Sequence, residues 1–245
     1  MSSPSPVAEV VARMQAEVAS LPNSDGVACF THLYLSVTEG VEQQLVGFAF
    51  RDPQFLTHLD VVFAGLFFSA LDASRTDPST MPRAWAPLVE ARAARGIAPL
   101  QFALAGMSAH INRDLPVALV TTCRDLGIGL EEGSGQHADY EHVNGVLATV
   151  ERTVKSQYLS GWLRKLDRLF HRVDRIDDIV AMWDVARARD AAWVNAEALW
   201  ALRDEPELSA RYLDVLDRTV GLTARGLLVP ADTWLQKLAR LTSHV

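Results

Sequence analysis

Apolar residues recur every three or four positions along most of the chain, which is the spacing of one face of an α-helix. Residues 7–21 show this spacing first, and Pro22-Asn23 ends the segment. Brief stretches such as 27–30 are the sole candidates for strands. The pattern predicts an all-α fold, a single bundle-like domain of about eight or nine helices over residues 7–245, after a disordered N-terminus at residues 1–6. The further helices are predicted over 30–45, 53–73, 85–95, 99–126, 139–170, 174–203, 206–219 and 231–242.

Two of these helices should lie at the centre of the domain. One begins at Asp52-Pro53, a capping carboxylate followed by a proline at the first helical position, and it is apolar nearly all round. The other, over 99–126, is equally apolar but contains Pro116. A proline ring removes the bond to the carbonyl four residues earlier, here that of Asn112, so we expect a kinked central helix.

The kinked helix brings polar side chains into an apolar segment. His110 and Asp114 are four residues apart and therefore share a face, and Asn112, between them in the chain, is a candidate polar contact to a substrate. A histidine oriented by a carboxylate can act as an acid–base residue, because the carboxylate fixes its tautomer and raises its basicity. The same pair suits a divalent metal such as zinc if other helices add ligands. The third interpretation is a buried structural staple without chemistry.

Other candidate members of such a site are scattered along the sequence. Asp60 precedes the most apolar run, where an unpaired carboxylate is costly, so it should have a partner and is a candidate polar contact or catalytic group. Tyr34, on the second helix, is a candidate to bind substrate. If a metal is bound, His137 and Asp139, which follow a glycine-rich loop, are the candidates to join the pair.

Trp193 is a candidate to line the same site. It lies four residues after Arg189, so the two side chains share a helix face. A buried tryptophan with an arginine packed on it is the simpler structural account of this pair.

Composition narrows the function classes. The 245 residues are 49% hydrophobic and carry a net charge of −7, which is typical of a soluble protein and argues against a nucleic-acid partner. The longest apolar run, 61–71, is about half of what spans a bilayer, so we expect no membrane insertion. Two cysteines far apart favour a cytoplasmic protein. Motifs of serine hydrolases, of nucleotide-binding loops and of His-Glu-x-x-His metalloproteases are absent.

Several stretches, taken together, resemble one bacterial family over nearly the whole chain. The most specific is Ala109-His-Ile-Asn-Arg-Asp-Leu-Pro116, and others surround Gly26, Asp52, Tyr140 and Trp193. The family is mainly actinobacterial and is known as a domain of unknown function. The resemblance implies that this chain has Gly65, Phe67 and Ser69 where members have asparagine, tyrosine and aspartate, and Ser108 where they have asparagine. Such exchanges favour a pocket specialised for an apolar ligand.

A partial similarity also exists to zinc-dependent phospholipase C and related single-strand nucleases. Those proteins have a His-x-x-x-Asp element, which His110 and Asp114 match, followed by further histidines. This chain has Leu115 and Pro116 at that point and no histidine shortly after, so the resemblance does not imply the full multi-zinc site.

Three functional hypotheses follow from the sequence. The first is a small-molecule enzyme without a cofactor, which isomerises or cyclises a hydrophobic metabolite in an apolar inter-helix pocket, as in tailoring of a natural product. The second is a divalent-metal-dependent hydrolase built on His110 and Asp114. The third is a non-catalytic ligand-binding or scaffold protein. The sequence does not predict an oligomeric state.

Overall fold

The computed structural model describes residues 5–45, 50–147 and 184–230. Over these ranges the chain is all-α, forms a single domain and has no strand, which confirms the predicted fold class. The helices are α1 (Pro6–Ser20), α2 (Gly26–Leu45), α3 (Pro53–Thr76), α4 (Ala86–Ala91), α5 (Pro99–Ala109), α6 (Leu115–Leu126), α7 (135–147), α8 (Val185–Ala201) and α9 (Pro206–Leu227). A π-helical turn, His110–Asp114, joins α5 directly to α6, and a 3-10 turn, Pro78–Thr80, follows α3.

Capping side chains that are recognisable in the sequence determine where several helices begin. The Asp52 carboxylate accepts the backbone N–H of Phe55 at 3.0 Å, with Pro53 behind it, as predicted. Ser5 caps α1 in the same way, so that helix begins at Pro6, one residue earlier than expected. The C-terminus of α6 has a glycine cap: Gly127 adopts a left-handed conformation with φ of 64° and ends the helix.

The predicted strand candidate at 27–30 is wrong, because this stretch is the first turn of α2. The Asp25 carboxylate accepts the backbone N–H of Val27 at 2.8 Å, and the Asp25 carbonyl accepts that of Cys29 at 2.9 Å. These bonds satisfy donors that the first turn leaves open, and they outweigh the β-preference of the local sequence.

Helix α5 lies in the core between α2 and α9, and small residues let its neighbours approach closely. A Cβ on Gly106 would lie 2.4 Å from the ring of Phe30, and one on Gly26 would lie 2.5 Å from the ring of Phe102. The tight α2–α5 packing fixes the position of the π-helical turn that follows α5.

Helix α3 is the one described helix that is long and apolar enough to cross a membrane, with a mean hydropathy of 1.5 over its most apolar window. Core helices of soluble proteins have the same features, and Phe55, Phe67 and Leu71 of α3 are buried inside the domain. The predicted helix over 85–95 is shorter than expected, since α4 ends at Ala91. Predicted helical residues 148–183 and 231–242 lie outside the described residues.

Candidate functional site

The irregularity predicted at Pro116 takes the form of the π-helical turn. The backbone N–H of Leu115 bonds to the His110 carbonyl, five residues back instead of four. The widened turn places Pro116 in the first turn of α6, where the missing N–H costs no intrahelical bond. Single π-turns of this kind are frequent at functional sites, and this one contains both His110 and Asp114.

Asp114 binds the imidazole and two further donors. Its Oδ2 atom lies 3.3 Å from Nδ1 of His110 and accepts the indole N–H of Trp85 at 2.9 Å. Its Oδ1 atom accepts a guanidinium N–H of Arg113 at 2.8 Å. The side chains of His110 and Asp114 are 1% and 0% exposed. The predicted pairing of these two residues is therefore present, in a fully enclosed setting.

A second carboxylate, that of Asp217, fixes the position of the two side chains, Trp85 and Arg113, that donate hydrogen bonds to Asp114. Asp217 on α9 accepts the backbone N–H groups of Arg83 and Ala84, at 2.7 and 3.0 Å, in the segment that leads into Trp85. An oxygen of Asp217 also lies 3.5 Å from Nε of Arg113. Asp217 thus positions both side chains that donate to Asp114.

The second ring nitrogen of His110, Nε2, is in a state in which it can accept a proton. With Asp114 at Nδ1, the proton lies on Nδ1, so Nε2 carries the lone pair. Burial lowers the pKa of His110, and this effect exceeds the opposing hydrogen bond and charge of Asp114. The imidazole is therefore neutral at pH 7. Its Nε2 atom is buried and has no hydrogen-bond partner in the part of the chain that the structure describes.

Aromatic rings from three parts of the chain surround the imidazole. The ring of Phe63 lies parallel to it at a centroid distance of 3.6 Å, and the other four rings are tilted or edge-on. The rings of those four residues are buried, whereas Phe63 is half-buried and covers the imidazole on the outer side. The other four are Tyr34 at 4.5 Å, Phe30 at 5.8 Å, Trp85 at 6.0 Å and Phe67 at 6.2 Å.

Two more buried polar atoms have no hydrogen-bond partner among the described residues. They are the hydroxyl of Tyr34, whose ring centroid lies 4.5 Å from that of the imidazole, and Oδ2 of Asp60, a half-buried residue one helical turn before Phe63 on α3. Burial, and then the charge of Glu42, raise the pKa of Asp60 to about 6. Burial, and then the charges of Asp60 and Asp114, raise the pKa of Tyr34 well above its usual value. Within the described ranges, the partner expected for Asp60 is not found at Oδ2. We call His110, Tyr34, Asp60 and the surrounding rings the His110 chamber.

Residues of α3 that were expected at the site divide between two faces of the helix. Phe67 follows Phe63 by four residues and joins the chamber. Gly65 and Ser69 follow Phe63 by two and six residues, which places both more than about 100° away around the helix at 100° per residue. Ser69 is exposed and donates its hydroxyl to the Gly65 carbonyl at 2.8 Å. Both therefore lie away from His110.

Ser108 and Asn112 are also turned away from the imidazole. Each is two residues from His110, which places it roughly on the opposite side of the helix. Both are half-buried, and the Asn112 amide donates to the Ser108 hydroxyl at 3.3 Å.

The remaining candidates form a second cluster between α7 and α8. Trp193 packs against His137 and Tyr140, and its indole N–H donates to Glu197 at 3.0 Å. Asp139 accepts the backbone N–H groups of residues 51 and 52, at 3.0 and 2.7 Å, and so ties α7 to the start of α3.

The candidate metal ligands are therefore not brought together. His137 and Asp139 belong to the α7–α8 cluster, whereas His110 and Asp114 lie in the chamber. Among the described residues, no group of three or more His, Cys, Asp or Glu side chains is placed to hold a metal ion.

Within the chamber, His110 and Tyr34 are buried, whereas Phe63 and Asp60 are half-buried. Two surface clefts lie elsewhere, one beside Pro53 and His58 and the other beside Asp25 and Arg92. Neither is lined by His110, Tyr34 or Asp60. An apolar inter-helix pocket at His110 therefore stays a prediction.

Comparison with known proteins places the chain in a family. No curated protein and no solved structure is significantly similar to it. A family model described as a family of unknown function (DUF5995) matches residues 7–230, which covers the chamber and every helix described above. This agrees with the resemblance expected from the sequence. The chain belongs to the family of unknown function DUF5995.

Proposed function

We propose that the protein is an enzyme that binds an apolar small molecule in the His110 chamber and isomerises or cyclises it by moving a proton at Nε2 of His110. The supporting observation is that three of the buried polar atoms without a partner among the described residues belong to His110, Tyr34 and Asp60. Buried polar groups in native proteins are normally hydrogen-bonded, so atoms of this kind are candidates to contact a ligand.

The chemistry follows from the protonation states. Neutral His110 removes a proton from a carbon next to a carbonyl or imine of the substrate. The electron pair of the broken C–H bond forms a carbon–carbon double bond, and the displaced π pair moves to the oxygen or nitrogen. The Tyr34 hydroxyl, which stays protonated, donates a hydrogen bond to that atom. In a substrate with a further double bond next to the deprotonated carbon, the electron pair then returns from the oxygen or nitrogen through the conjugated system. The imidazolium gives its proton to the far carbon of that double bond, so the reaction needs no cofactor.

Asp114 serves as the positioning residue for this step. It stabilises the imidazolium that forms when His110 takes up the proton, and it keeps the Nδ1–H tautomer in place. Trp85 and Arg113 hold its two oxygens, so the carboxylate cannot rotate away from the imidazole.

Entry of the substrate requires Phe63 to move. Its ring covers the imidazole in an overlapping parallel stack, 3.6 Å apart and 6° from parallel. Such a stack lacks the electrostatic gain of an offset or edge-on pair, so it is a weak contact to give up. A planar apolar substrate would take the place of this ring against the imidazole.

The test compares wild type with His110→Gln on a lipid-soluble metabolite extract in D2O. Mass spectrometry is expected to detect an isomer that carries deuterium at an exchangeable carbon, with wild type alone. Asp125→Asn, which alters an exposed carboxylate that pairs with His58, is the matched control and should behave as wild type.

The remaining outcomes separate the hypotheses. A metabolite that co-purifies with wild type and with His110→Gln but is never converted would support a non-catalytic binding protein. If no compound binds or reacts, and His110→Gln only melts at a lower temperature, the pair is a structural staple and the proposal is wrong.

A further inference from the structure

The unpartnered atoms of the His110 chamber differ in what they can bond. Nε2 of His110 and Oδ2 of Asp60 accept hydrogen bonds, whereas the Tyr34 hydroxyl both donates and accepts. A ligand that satisfies all three must therefore contribute at least one strong donor. A hydrocarbon, an ether or a carboxylate cannot do this.

The negative charges in and around the chamber also favour a ligand that donates hydrogen bonds. The negative charges of Asp60 and Asp114 both act on the Tyr34 hydroxyl, and the charge of the exposed Glu42 acts on Asp60. Among the described residues at the chamber, the cation is Arg113, which is already bonded to Asp114. The Asp60 side therefore has negative charge without a bound cation.

The aromatic rings of the chamber independently favour a positively charged ligand. Tyr34 and Phe67, whose rings the ligand does not displace, lie 4.5 Å and 6.2 Å from the imidazole, centroid to centroid. The faces of aromatic rings carry negative electrostatic potential and attract organic cations. A positively charged group between these rings and Asp60 is stabilised by both.

We infer that the ligand of the His110 chamber is an organic amine, with its ammonium group on Asp60 and its apolar body against the aromatic rings. This inference rests on the proposed function, because it names the chemical class that the same site accepts. The ammonium would donate to Oδ2 of Asp60, and the Tyr34 hydroxyl would be free to bond a second polar atom of the ligand. His110 would face the carbon that loses its proton.

The experiment measures binding of three probes of equal size, benzylamine, benzyl alcohol and benzoate, by NMR titration at pH 7.5. Benzylamine should bind at least tenfold more tightly than the other two. In Asp60→Asn its dissociation constant should rise by about tenfold to a hundredfold, the range expected for a lost charge-assisted hydrogen bond. The affinity for benzyl alcohol should change less than about threefold.

Asp214→Asn is the control, because it removes an exposed carboxylate paired with Arg218 on the outer face of α9. It should leave all three affinities unchanged. The inference is overturned if benzyl alcohol or benzoate binds more tightly than benzylamine, or if Asp60→Asn binds benzylamine as wild type does.

The two proposals fail in different ways. If His110-dependent conversion of a metabolite is found and that metabolite has no amine, the inference falls and the proposed function stands. If none of the probes binds and no metabolite is converted, both fall together. A melting curve of each variant verifies that it is folded at the temperature of the titration.

Discussion

Replacing Asp60 by asparagine should make the unliganded protein more stable at neutral pH. Most substitutions of buried polar residues destabilise a fold, so the expected sign is unusual. It arises because Oδ2 of Asp60 is buried, has no hydrogen-bond partner among the described residues and feels the negative charge of Glu42. Asparagine keeps the shape of the side chain and removes the charge.

The magnitude follows from the pKa. The pKa of Asp60 rises from 3.8 to about 6 on folding. Each unit corresponds to about 1.4 kcal/mol, so the ionised carboxylate lowers the free energy of unfolding by up to about 3 kcal/mol. The native state holds this proton more tightly than the unfolded state does, so stability falls as pH rises from about 4 to about 6 and is level above that. Asp60→Asn should therefore match wild type near pH 4 and exceed it by about 1–3 kcal/mol at pH 8.

Urea denaturation at pH 4 and pH 8, without ligand, measures this difference. Asp139→Asn is the contrasting variant, because Asp139 is 3% exposed and both its oxygens accept backbone N–H bonds. Asparagine offers one acceptor for two donors, so this variant should lose about 1–3 kcal/mol at pH 8. If Asp60→Asn instead loses more than about 1 kcal/mol at pH 8, the carboxylate has a partner that needs its charge, and the reasoning from an unpartnered Oδ2 is refuted.

Three further predictions concern the chamber and the packing around it. Because burial lowers the pKa of His110 below 6.5, nitrogen NMR should find its imidazole neutral, with the proton on Nδ1, between pH 6.5 and 8; a titration midpoint inside this interval would contradict the account. Trp85→Phe removes a hydrogen-bond donor to the fully buried Asp114. In thermal unfolding it should lower the free energy of unfolding by at least about 1.5 kcal/mol more than Trp200→Phe, a half-buried control. Equal losses would show that the indole hydrogen bond is unimportant. Gly106→Ala should destabilise the protein by at least about 1–3 kcal/mol, because the added Cβ would lie 2.4 Å from the ring of Phe30. Gly65→Ala, whose Cβ would meet nothing within 4 Å, should stabilise the protein by about 0.5–1 kcal/mol. Similar effects of the two substitutions would contradict the packing.

Features that depend on nearby residues could be predicted from the sequence. Helical spacing gave the all-α class, and the order Asp52-Pro53 gave the start of α3, because a cap and its helix are adjacent in the chain. The pairing of His110 with Asp114 followed from their spacing of four residues. Pro116 indicated an irregular turn, which the structure realises as a π-helical turn.

Features that depend on tertiary packing could not be predicted in this way. Trp85 lies 29 residues before Asp114, and the Asp217 carboxylate bonds backbone groups more than 130 residues away. No local spacing signals such contacts. The grouping of Gly65 and Ser69 with His110 relied on the family resemblance, although helical geometry alone places them on a different face from Phe63 and Phe67.

A crystal structure of the protein grown with benzylamine tests most directly whether the three unpartnered atoms share a space that a molecule can occupy. The account predicts that the Phe63 ring has turned away from the imidazole, that the benzylamine ring stands in its place, and that the ammonium nitrogen lies within about 3 Å of Oδ2 of Asp60. A structure in which Phe63 still covers His110 and the amine is bound elsewhere, or not at all, would contradict it.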